Sequence, residues 1–180
     1  EYMTWNFAVL ASDQIINHAA KMLQMSGGQF TTPIVFRGPN GPAGQLAATH
    51  SQSYEAMYSA IPGLKVVTPF TPYEAKGLLK SAIRDDDPVL IMESEKMYGD
   101  KGLIPDGEFL VPIGKANVRQ KGSDVTIVSF GKILKTVHAA AEELAKEDIE
   151  VEIIDLITIR PLDLDTIIES IKKTNRLVIV

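Results

Sequence analysis

Short apolar segments rich in β-branched residues alternate with amphipathic helical segments along most of this chain. The predicted strands are residues 33–36, 65–68, 89–92, 124–129, 151–154 and 177–180. The predicted helices are residues 15–23 with an extension back toward residue 7, 54–61, 71–83, 133–144 and 164–171. Strands separated by a helix pair in parallel, because the helix must cross one face of the sheet. The alternation therefore predicts an α/β fold, a mostly parallel sheet with helices on both faces.

The ends of three predicted helices carry recognisable signals. Thr71 is a capping residue that is followed by proline in the first turn and by Glu74, which completes a capping box. Ser51 or Ser53 is expected to cap the short helix over residues 54–61. Two successive glycines, at 27 and 28, are expected to end the first helix.

The strand and helix pattern lapses in a polar stretch punctuated by glycine and proline. The alternation predicts a first domain over residues 1–93, a linker over residues 94–112 and a second domain over residues 113–180. The last predicted strand runs to the end of the chain, and the first residue is not an initiator methionine. We therefore expect the chain to be part of a longer one.

Composition narrows the class of protein. The 23 acidic residues outnumber the 18 basic ones and no basic stripe occurs, so nucleic-acid binding is disfavoured. No run of eighteen apolar residues predicts a membrane span. The chain has no cysteine, which excludes disulfides, thiolate metal sites and a cysteine nucleophile and fits a reducing compartment.

His50 is the clearest candidate for chemistry, because it follows a glycine-rich loop after the strand at 33–36. Gly38, Gly41 and Gly44 permit backbone conformations that other residues avoid, and they let a ligand approach closely. An imidazole is the side chain best suited to proton transfer near neutral pH. A hydrogen-bonded histidine at the start of a helix fits the same spacing, so the residues alone leave both interpretations open.

Three consecutive aspartates, residues 85–87, follow a predicted helix. They suit either a cation or a solvated turn. The free carbonyl groups at the end of a helix also bind monovalent cations without any side-chain signature. Composition alone favours the solvated turn.

The remaining aromatic and histidine residues carry weaker signals. Trp5 and Phe7 are either a flat wall for an aromatic ligand or ordinary core residues. His18 and His138 have no second histidine at metal-ligand spacing and are interpreted as structural or exposed. No phosphate-binding loop of either glycine-rich type occurs, so a flavodoxin-like nucleotide-binding function is supported by the predicted fold alone.

A series of short strings, taken in order, carries a family resemblance over essentially the whole chain. The strings are EYMTWNF (1–7), MSGG (25–28), PIVFRGPNG (33–41), HSQ (50–52), PGLKVV (62–67), AKGL (75–78), IRD (83–85), MYG (97–99) and IRPLD (159–163). Together they resemble the beta subunits of the thiamine-diphosphate-dependent 2-oxo acid dehydrogenases, closest to pyruvate dehydrogenase.

The resemblance implies a transketolase-like pyrimidine-binding domain, truncated at its N-terminus, followed by a transketolase C-terminal α/β domain, truncated at its C-terminus. In this family an alpha subunit binds the diphosphate and magnesium, and the beta subunit forms the pocket for the aminopyrimidine. The implied partners are the alpha subunit, a second beta subunit and the lipoyl acyltransferase core. The implied assembly is an alpha-two beta-two heterotetramer.

The resemblance also implies roles for individual residues. Met3 and Phe7 match positions that line the aminopyrimidine, and His50 matches the active-site histidine near the reacting carbon of the cofactor. Some members of the family bind potassium, mainly through backbone carbonyl groups, at the positions that match Ile34, Ala82, Ile83, Asp85 and Asp87.

The chain departs from the family pattern at both ends. The glutamate that hydrogen-bonds the pyrimidine ring in the family precedes the segment that matches Glu1, so Glu1 is not assigned that role. The end of the C-terminal domain, which docks the acyltransferase core in the family, has no match either. The chain alone is therefore expected to be inactive.

The leading expectation is an enzyme component for oxidative decarboxylation of pyruvate and transfer of the acetyl group to lipoyl, which yields acetyl-CoA in the whole complex. The alternative within the class is a branched-chain 2-oxo acid or acetoin dehydrogenase. The alternative from another class is a non-catalytic assembly module, which a missing upstream glutamate would favour. The expected compartment is the cytoplasm of a bacterium or the mitochondrial matrix of a eukaryote.

Overall fold

A computed structural model describes all 180 residues, whose strands form two sheets of four strands each. The strands are β1 (Val35–Pro39), β2 (Lys65–Val67), β3 (Val89–Glu93), β4 (Asn117–Gln120), β5 (Val125–Ser129), β6 (Val151–Asp155), β7 (Thr158–Arg160) and β8 (Leu177–Ile179). The first sheet has the order β1-β3-β2-β7, and the second has the order β4-β6-β5-β8. The predicted α/β architecture is confirmed.

Helices connect most of these strands. The α-helices are α1 (Met22–Met25), α2 (Glu55–Ser59), α3 (Pro72–Ile83), α4 (Leu134–Ala145) and α5 (Leu164–Thr174). The 3-10 helices are Trp5–Ala11, Ala48–His50, Glu95–Met97 and Gly131–Ile133, and Gln14–Ala19 is a π-helix. None of the helices is both long and apolar enough to cross a membrane.

The pairing within each sheet is parallel except at one edge. Strands β1 and β2 both pair in parallel with β3, and β5 pairs in parallel with β6 and β8. The antiparallel exceptions are β7, which pairs with β2, and β4, which pairs with β6. The sequence analysis missed both strands, because one is only three residues long and the other has a single apolar residue. Strand β7 joins the first sheet although it lies late in the chain.

Alternate residues of the first sheet pack against helices on opposite faces. Leu90 and Met92 belong to the cluster that buries Trp5 and Tyr58. The residues between them, such as Ile91, point to the opposite face and pack beneath α3. Successive side chains of a strand point to opposite faces, so a strand that is apolar throughout is covered on both sides.

The first helical segment is less regular than predicted. The expected single helix from residue 7 to 23 is divided into the 3-10 helix Trp5–Ala11, the π-helix Gln14–Ala19 and the single turn α1. Trp5 and Ala8 are both fully buried, and the three-residue period of a 3-10 helix stacks them on one face. Gly27 has a φ of +64° and follows the segment, so the predicted stop is confirmed.

Of the two predicted N-caps, one is confirmed and one is wrong. Thr71 Oγ1 accepts a hydrogen bond from the Glu74 amide at 3.2 Å, and the Glu74 carboxylate accepts one from the Thr71 amide at 3.0 Å. Helix α2 has Tyr54 at its N-cap and no side-chain cap from either serine. The Tyr54 amide instead donates to Asn40 Oδ1 at 3.0 Å, so a residue fourteen positions earlier holds the start of α2.

A buried charge cluster joins α3 to the second sheet. Arg119 of β4 makes ion pairs with Glu74 of α3 and with Asp155 of β6. Both carboxylates are almost completely buried, with 2% and 0% of their side-chain surfaces exposed. The guanidinium also lies 5.4 Å from the centre of the Phe70 ring. Burial raises the pKa of Asp155 to about 6.

Candidate active site

The N-terminal segment lies directly against β1. The Tyr2 amide donates to the Arg37 carbonyl at 2.8 Å. A Cβ atom at Gly38 would lie 2.6 Å from the Tyr2 carbonyl oxygen, closer than any normal contact. Glycine at this position therefore allows the segment that carries Met3 and Phe7 to pack beside the strand that leads to His50.

Residues 41–52, which we term the His50 loop, are tied together at their two ends. The Gly41 amide donates to the Gln52 carbonyl at 2.9 Å. The amide of the preceding Asn40, a buried residue, donates to the Glu93 carbonyl at 2.7 Å, which extends the pairing of β1 with β3. The loop therefore begins and ends at the carboxyl edge of a parallel sheet, where ligands of open α/β folds bind.

The backbone that precedes His50 is strained. Gln45 and Ala47 have φ values of +62° and +66°. With a ψ of −179°, Ala47 occupies a region that is nearly confined to glycine. The chain then enters the 3-10 turn Ala48–His50. Strain of this kind persists only where the surrounding contacts enforce it, and it is concentrated at functional sites.

His50 and Phe7 meet edge to face. Their ring centres are 5.3 Å apart, and the ring planes are inclined at 72°. Phe7 is 38% exposed and His50 is half-buried, so both rings border open space. The backbone amide of His50 donates to the Ala47 carbonyl at 3.3 Å, and none of the side-chain hydrogen bonds of the structure involves its ring nitrogens. Both ring nitrogens are therefore available to hydrogen-bond with a bound molecule.

Two carboxamide side chains connect Phe7 to the His50 loop. Asn6 Nδ2 donates to Gln52 Oε1 at 2.6 Å, and the Tyr54 hydroxyl donates to the same oxygen at 2.8 Å. Gln52 lies two residues after His50, and Asn6 precedes Phe7. These contacts were missed by sequence reasoning, since amide side chains have no diagnostic spacing and Gln52 stood out only within the string HSQ.

The other aromatic and imidazole residues lie away from this contact. Trp5 is fully buried between Tyr2 and Tyr58, so it is a core residue. His18 is exposed beside Asp13. His138 stacks on the ring of Phe70, with the ring centres 6.1 Å apart. Both histidines thus have the structural or exposed positions that the sequence predicts.

Met3 shares the N-terminal segment with Phe7 and is 67% exposed. The structure therefore brings together two of the three residues that the resemblance assigns to the cofactor pocket, and it leaves the third at the surface of the same segment.

The residues matched to a potassium site form a second cluster, at the end of α3. The Thr32 amide donates to the Asp86 carbonyl at 3.1 Å, and the Val89 amide donates to the Ile34 carbonyl at 3.0 Å. The Ala82 carbonyl accepts from the Asp85 amide at 3.3 Å. The structure thus brings Ile34, the end of α3 and the three aspartates to one place.

The carboxylates of this cluster are already engaged. Lys65 Nζ lies 2.7 Å from Asp85 Oδ1 and 3.0 Å from Asp87 Oδ2. Asp85 Oδ1 also accepts from the Asp87 amide at 2.9 Å. Any cation here would therefore rely on backbone carbonyl groups. The hydroxyl of Thr32 is buried without a hydrogen-bond partner, which leaves one further oxygen free at the site.

Comparison with known proteins identifies the family of this chain. Residues 1–101 match the pyrimidine-binding domain of transketolase, and residues 114–180 match the transketolase C-terminal domain. The chain belongs to the family of transketolase pyrimidine-binding domains. The transketolase-like domains implied by the short strings are confirmed by these matches.

The relatives of this transketolase-like chain include several pyruvate dehydrogenase E1 component beta subunits. The protein of Rhizobium meliloti is 59% identical over the whole chain, which covers 39% of that protein. Those of Rickettsia felis and Dictyostelium discoideum are both 54% identical over the whole chain, which covers 55% and 52% of them. The chain thus spans about half the length of the curated relatives it matches.

A solved structure has the same fold. The split gene transketolase described as an inactive beta4 tetramer superimposes with a TM-score of 0.80. The superposition covers 98% of this chain and 55% of that one, at 22% sequence identity. At this identity the similarity establishes the fold alone.

Proposed function

We propose that this chain is part of the beta subunit of a pyruvate dehydrogenase E1 component. The subunit would take part in oxidative decarboxylation of pyruvate and transfer of the acetyl group to lipoyl, and the whole complex would produce acetyl-CoA. The observation that carries the proposal is the half-exposed pair of Phe7 and His50 at the carboxyl edge of a parallel sheet. The beta-subunit relatives at 52% to 59% identity support it.

The exposed surface of Phe7 and Met3 suits one half of thiamine diphosphate. Phe7 presents an exposed aromatic ring, and Met3 adds apolar surface on the same segment. A flat apolar wall suits the aminopyrimidine ring, and the alpha subunit would hold the diphosphate and magnesium. When bound, the cofactor supplies carbanion stabilisation, and the protein supplies orientation, proton placement and exclusion of water.

His50 would hold a proton close to the reacting centre. Its ring nitrogens have no partner in the chain, and its ring packs at a steep angle against that of Phe7. The hydrogen bond of 2.6 Å between Asn6 and Gln52 holds the segment of Phe7 beside the loop that carries His50. A positioned imidazole of this kind would donate a proton to the lipoyl sulfur during acyl transfer.

Exposed apolar side chains of the N-terminal segment and the His50 loop support a subunit interface. Those of the N-terminal segment and the His50 loop are Met3, Phe7, Val9, Leu10, Met22, Leu23, Met25, Phe30 and Leu46. Apolar exposure on this scale indicates an interaction surface. We assign it to the alpha subunit and a second beta subunit, with the lipoyl acyltransferase core as a further partner. The compartment would be the bacterial cytoplasm or the mitochondrial matrix.

Reconstitution tests the function. The complete subunit is mixed with its alpha partner and thiamine diphosphate. Carbon dioxide release is measured with pyruvate and with branched-chain 2-oxo acids, and acetaldehyde release is measured with acetoin. We expect an alpha-two beta-two mass by light scattering and turnover with pyruvate as the preferred substrate. Preference for a branched-chain substrate would reassign the substrate, and assembly without any turnover would favour a non-catalytic module.

A potassium ion is proposed at the cluster of Ile34, Ala82, Ile83, Asp85 and Asp87. Its support is the proximity of Ile34, the end of α3 and the aspartates, together with the unpartnered hydroxyl of Thr32. Exchanging potassium for tetramethylammonium in the assembled enzyme is expected to lower Tm, because only the smaller ion fits among carbonyl oxygens. Sodium and choline serve as further comparisons in the same thermal scan, and an equal Tm in all four salts would exclude a specific site.

A further inference from the structure

Lys132 reaches from the second sheet to the His50 loop. It lies in the 3-10 turn Gly131–Ile133, immediately after β5. Its Nζ atom donates to the Pro42 carbonyl at 2.7 Å, across ninety positions of sequence. This is the one hydrogen bond between the loop and the residues that follow the linker.

The hydrogen bond from Lys132 to Pro42 spans an open cleft, not a packed interface. A cleft of about 510 Å³ separates the base of the loop from the second sheet, and Pro42, Ser53 and Lys132 are among its lining residues. Burial and the neighbouring Lys96 lower the pKa of Lys132, and Glu55 opposes this shift. Since no side chains fill the gap, the lysine is the contact that holds the loop from this side.

The other hydrogen bonds that anchor the loop and its ends all join residues within the range 1–93. The hydrogen bonds of Asn40 and of Gly41 close its two ends, whereas Pro42 begins the free part that leads through the strained Gln45 and Ala47 to His50. A strained segment relaxes when a restraint at its end is removed. Loss of the Lys132 contact would therefore change where the loop presents His50.

We propose that Lys132 is a positioning residue for His50, and that it couples the second sheet to the His50 loop. The inference rests on the proposed function, because it takes His50 as the proton donor in acyl transfer. Lys132 itself need not touch substrate. Its ammonium group fixes Pro42, and through Pro42 the path of the loop.

Three substitutions in the complete, assembled enzyme test the role. Lys132→Met is expected to lower the single-turnover rate of acyl transfer to lipoyl about 10-fold, since small displacements of a catalytic group cost rate steeply. Lys132→Arg, which can still donate to Pro42, is expected to restore most of the rate. Lys146→Met is the matched control, because Lys146 pairs only with Glu143 at an exposed helix end. Hydrogen exchange of residues 41–52 should increase in Lys132→Met alone.

A double-substitution cycle separates positioning from general structural damage. In a His50→Gln background, Lys132→Met is expected to cause little further loss of rate, because both changes act through the same imidazole. An equal 10-fold loss in both backgrounds, or no loss in the single variant, would overturn the inference. If His50→Gln leaves the rate of acyl transfer unchanged, the proposed function of His50 is wrong. If His50→Gln lowers the rate but Lys132→Met does not, only the inference about Lys132 is wrong.

Discussion

Replacing Arg119 by methionine is expected to lower the free energy of unfolding by about 3 to 5 kcal/mol, the usual cost of leaving buried charges without their partner. Arg119 is the cation shared by Glu74 and Asp155, and only 15% of its side chain is exposed. Urea and thermal unfolding of the complete subunit measure the effect.

The effect is large because both carboxylates paired with Arg119 also accept backbone hydrogen bonds. Glu74 also caps α3, accepting from the Phe70 and Thr71 amides at 3.1 and 3.0 Å. Asp155 accepts from the Ile157 amide at 3.0 Å, and Ile157 is held at a φ of +55° just before β7. Removing Arg119 therefore perturbs a helix start and a strand crossover together.

The loss should depend on pH. The pKa of Asp155 is about 6 in the folded protein, above its ordinary value, because the carboxyl is buried. A carboxyl of this kind stabilises the fold below its unfolded pKa, and this contribution is lost as the pH rises through the folded value. Without Arg119 the Asp155 carboxyl binds its proton more tightly. The destabilisation by Arg119→Met is therefore expected to be smaller at pH 5 than at pH 8.

Arg176→Met is the matched control for this prediction. Arg176 is exposed and donates one long hydrogen bond, of 3.3 Å, to the Asp124 carbonyl. Its substitution is expected to change stability by no more than about 0.5 kcal/mol. Equal effects of the two arginine substitutions, or a pH-independent effect at Arg119, would contradict the account of the cluster.

Much of the fold follows from patterns that are local in sequence. The capping box of Thr71 and Glu74 and the apolar strand at 89–93 depend on neighbours in the chain, and both were predicted correctly. Strand β7 was missed because its pairing with β2 joins residues about ninety positions apart. The serine caps of α2 were wrong for the same reason, because Asn40 supplies the acceptor.

In the candidate site, too, features that depend on neighbouring residues could be predicted, whereas contacts between distant residues could not. His50 was recognised from the glycines before it, since a loop after a buried strand commonly carries function. The partner ring could not be inferred from spacing, because Trp5 and Phe7 differ only in which face of an irregular helix they occupy. The structure separates them, burying Trp5 and exposing Phe7. The contact from Lys132 joins the segment after β5 to the loop after β1, and no pattern of neighbouring residues predicts it.

Substituting His50 by glutamine should have the largest effect on activity. Glutamine approximates the size and hydrogen-bonding capacity of the imidazole but cannot take up or release a proton near neutral pH. The loop is anchored through Gly41, Gln52 and Asn40, none of which contacts the His50 ring nitrogens. Assembly with the alpha subunit and affinity for thiamine diphosphate are therefore expected to change little.

His18→Gln provides the control for this substitution. His18 is exposed and interacts only with Asp13, one turn away on the first helical segment. The same change of residue type is expected to leave all partial reactions unaffected. A comparable loss at both histidines would point to a general effect of removing imidazole groups.

The measurement that tests the assignment most directly is the single-turnover rate of acyl transfer to lipoyl by the assembled His50→Gln enzyme. We expect a loss of about 10²-fold or more relative to the unmodified enzyme, the scale for removing a positioned proton donor. The cofactor affinity and the alpha-two beta-two mass should be retained in the same sample. Normal acyl transfer by that variant, or failure of the variant to assemble, would identify His50 as a structural residue and contradict the proposed active site.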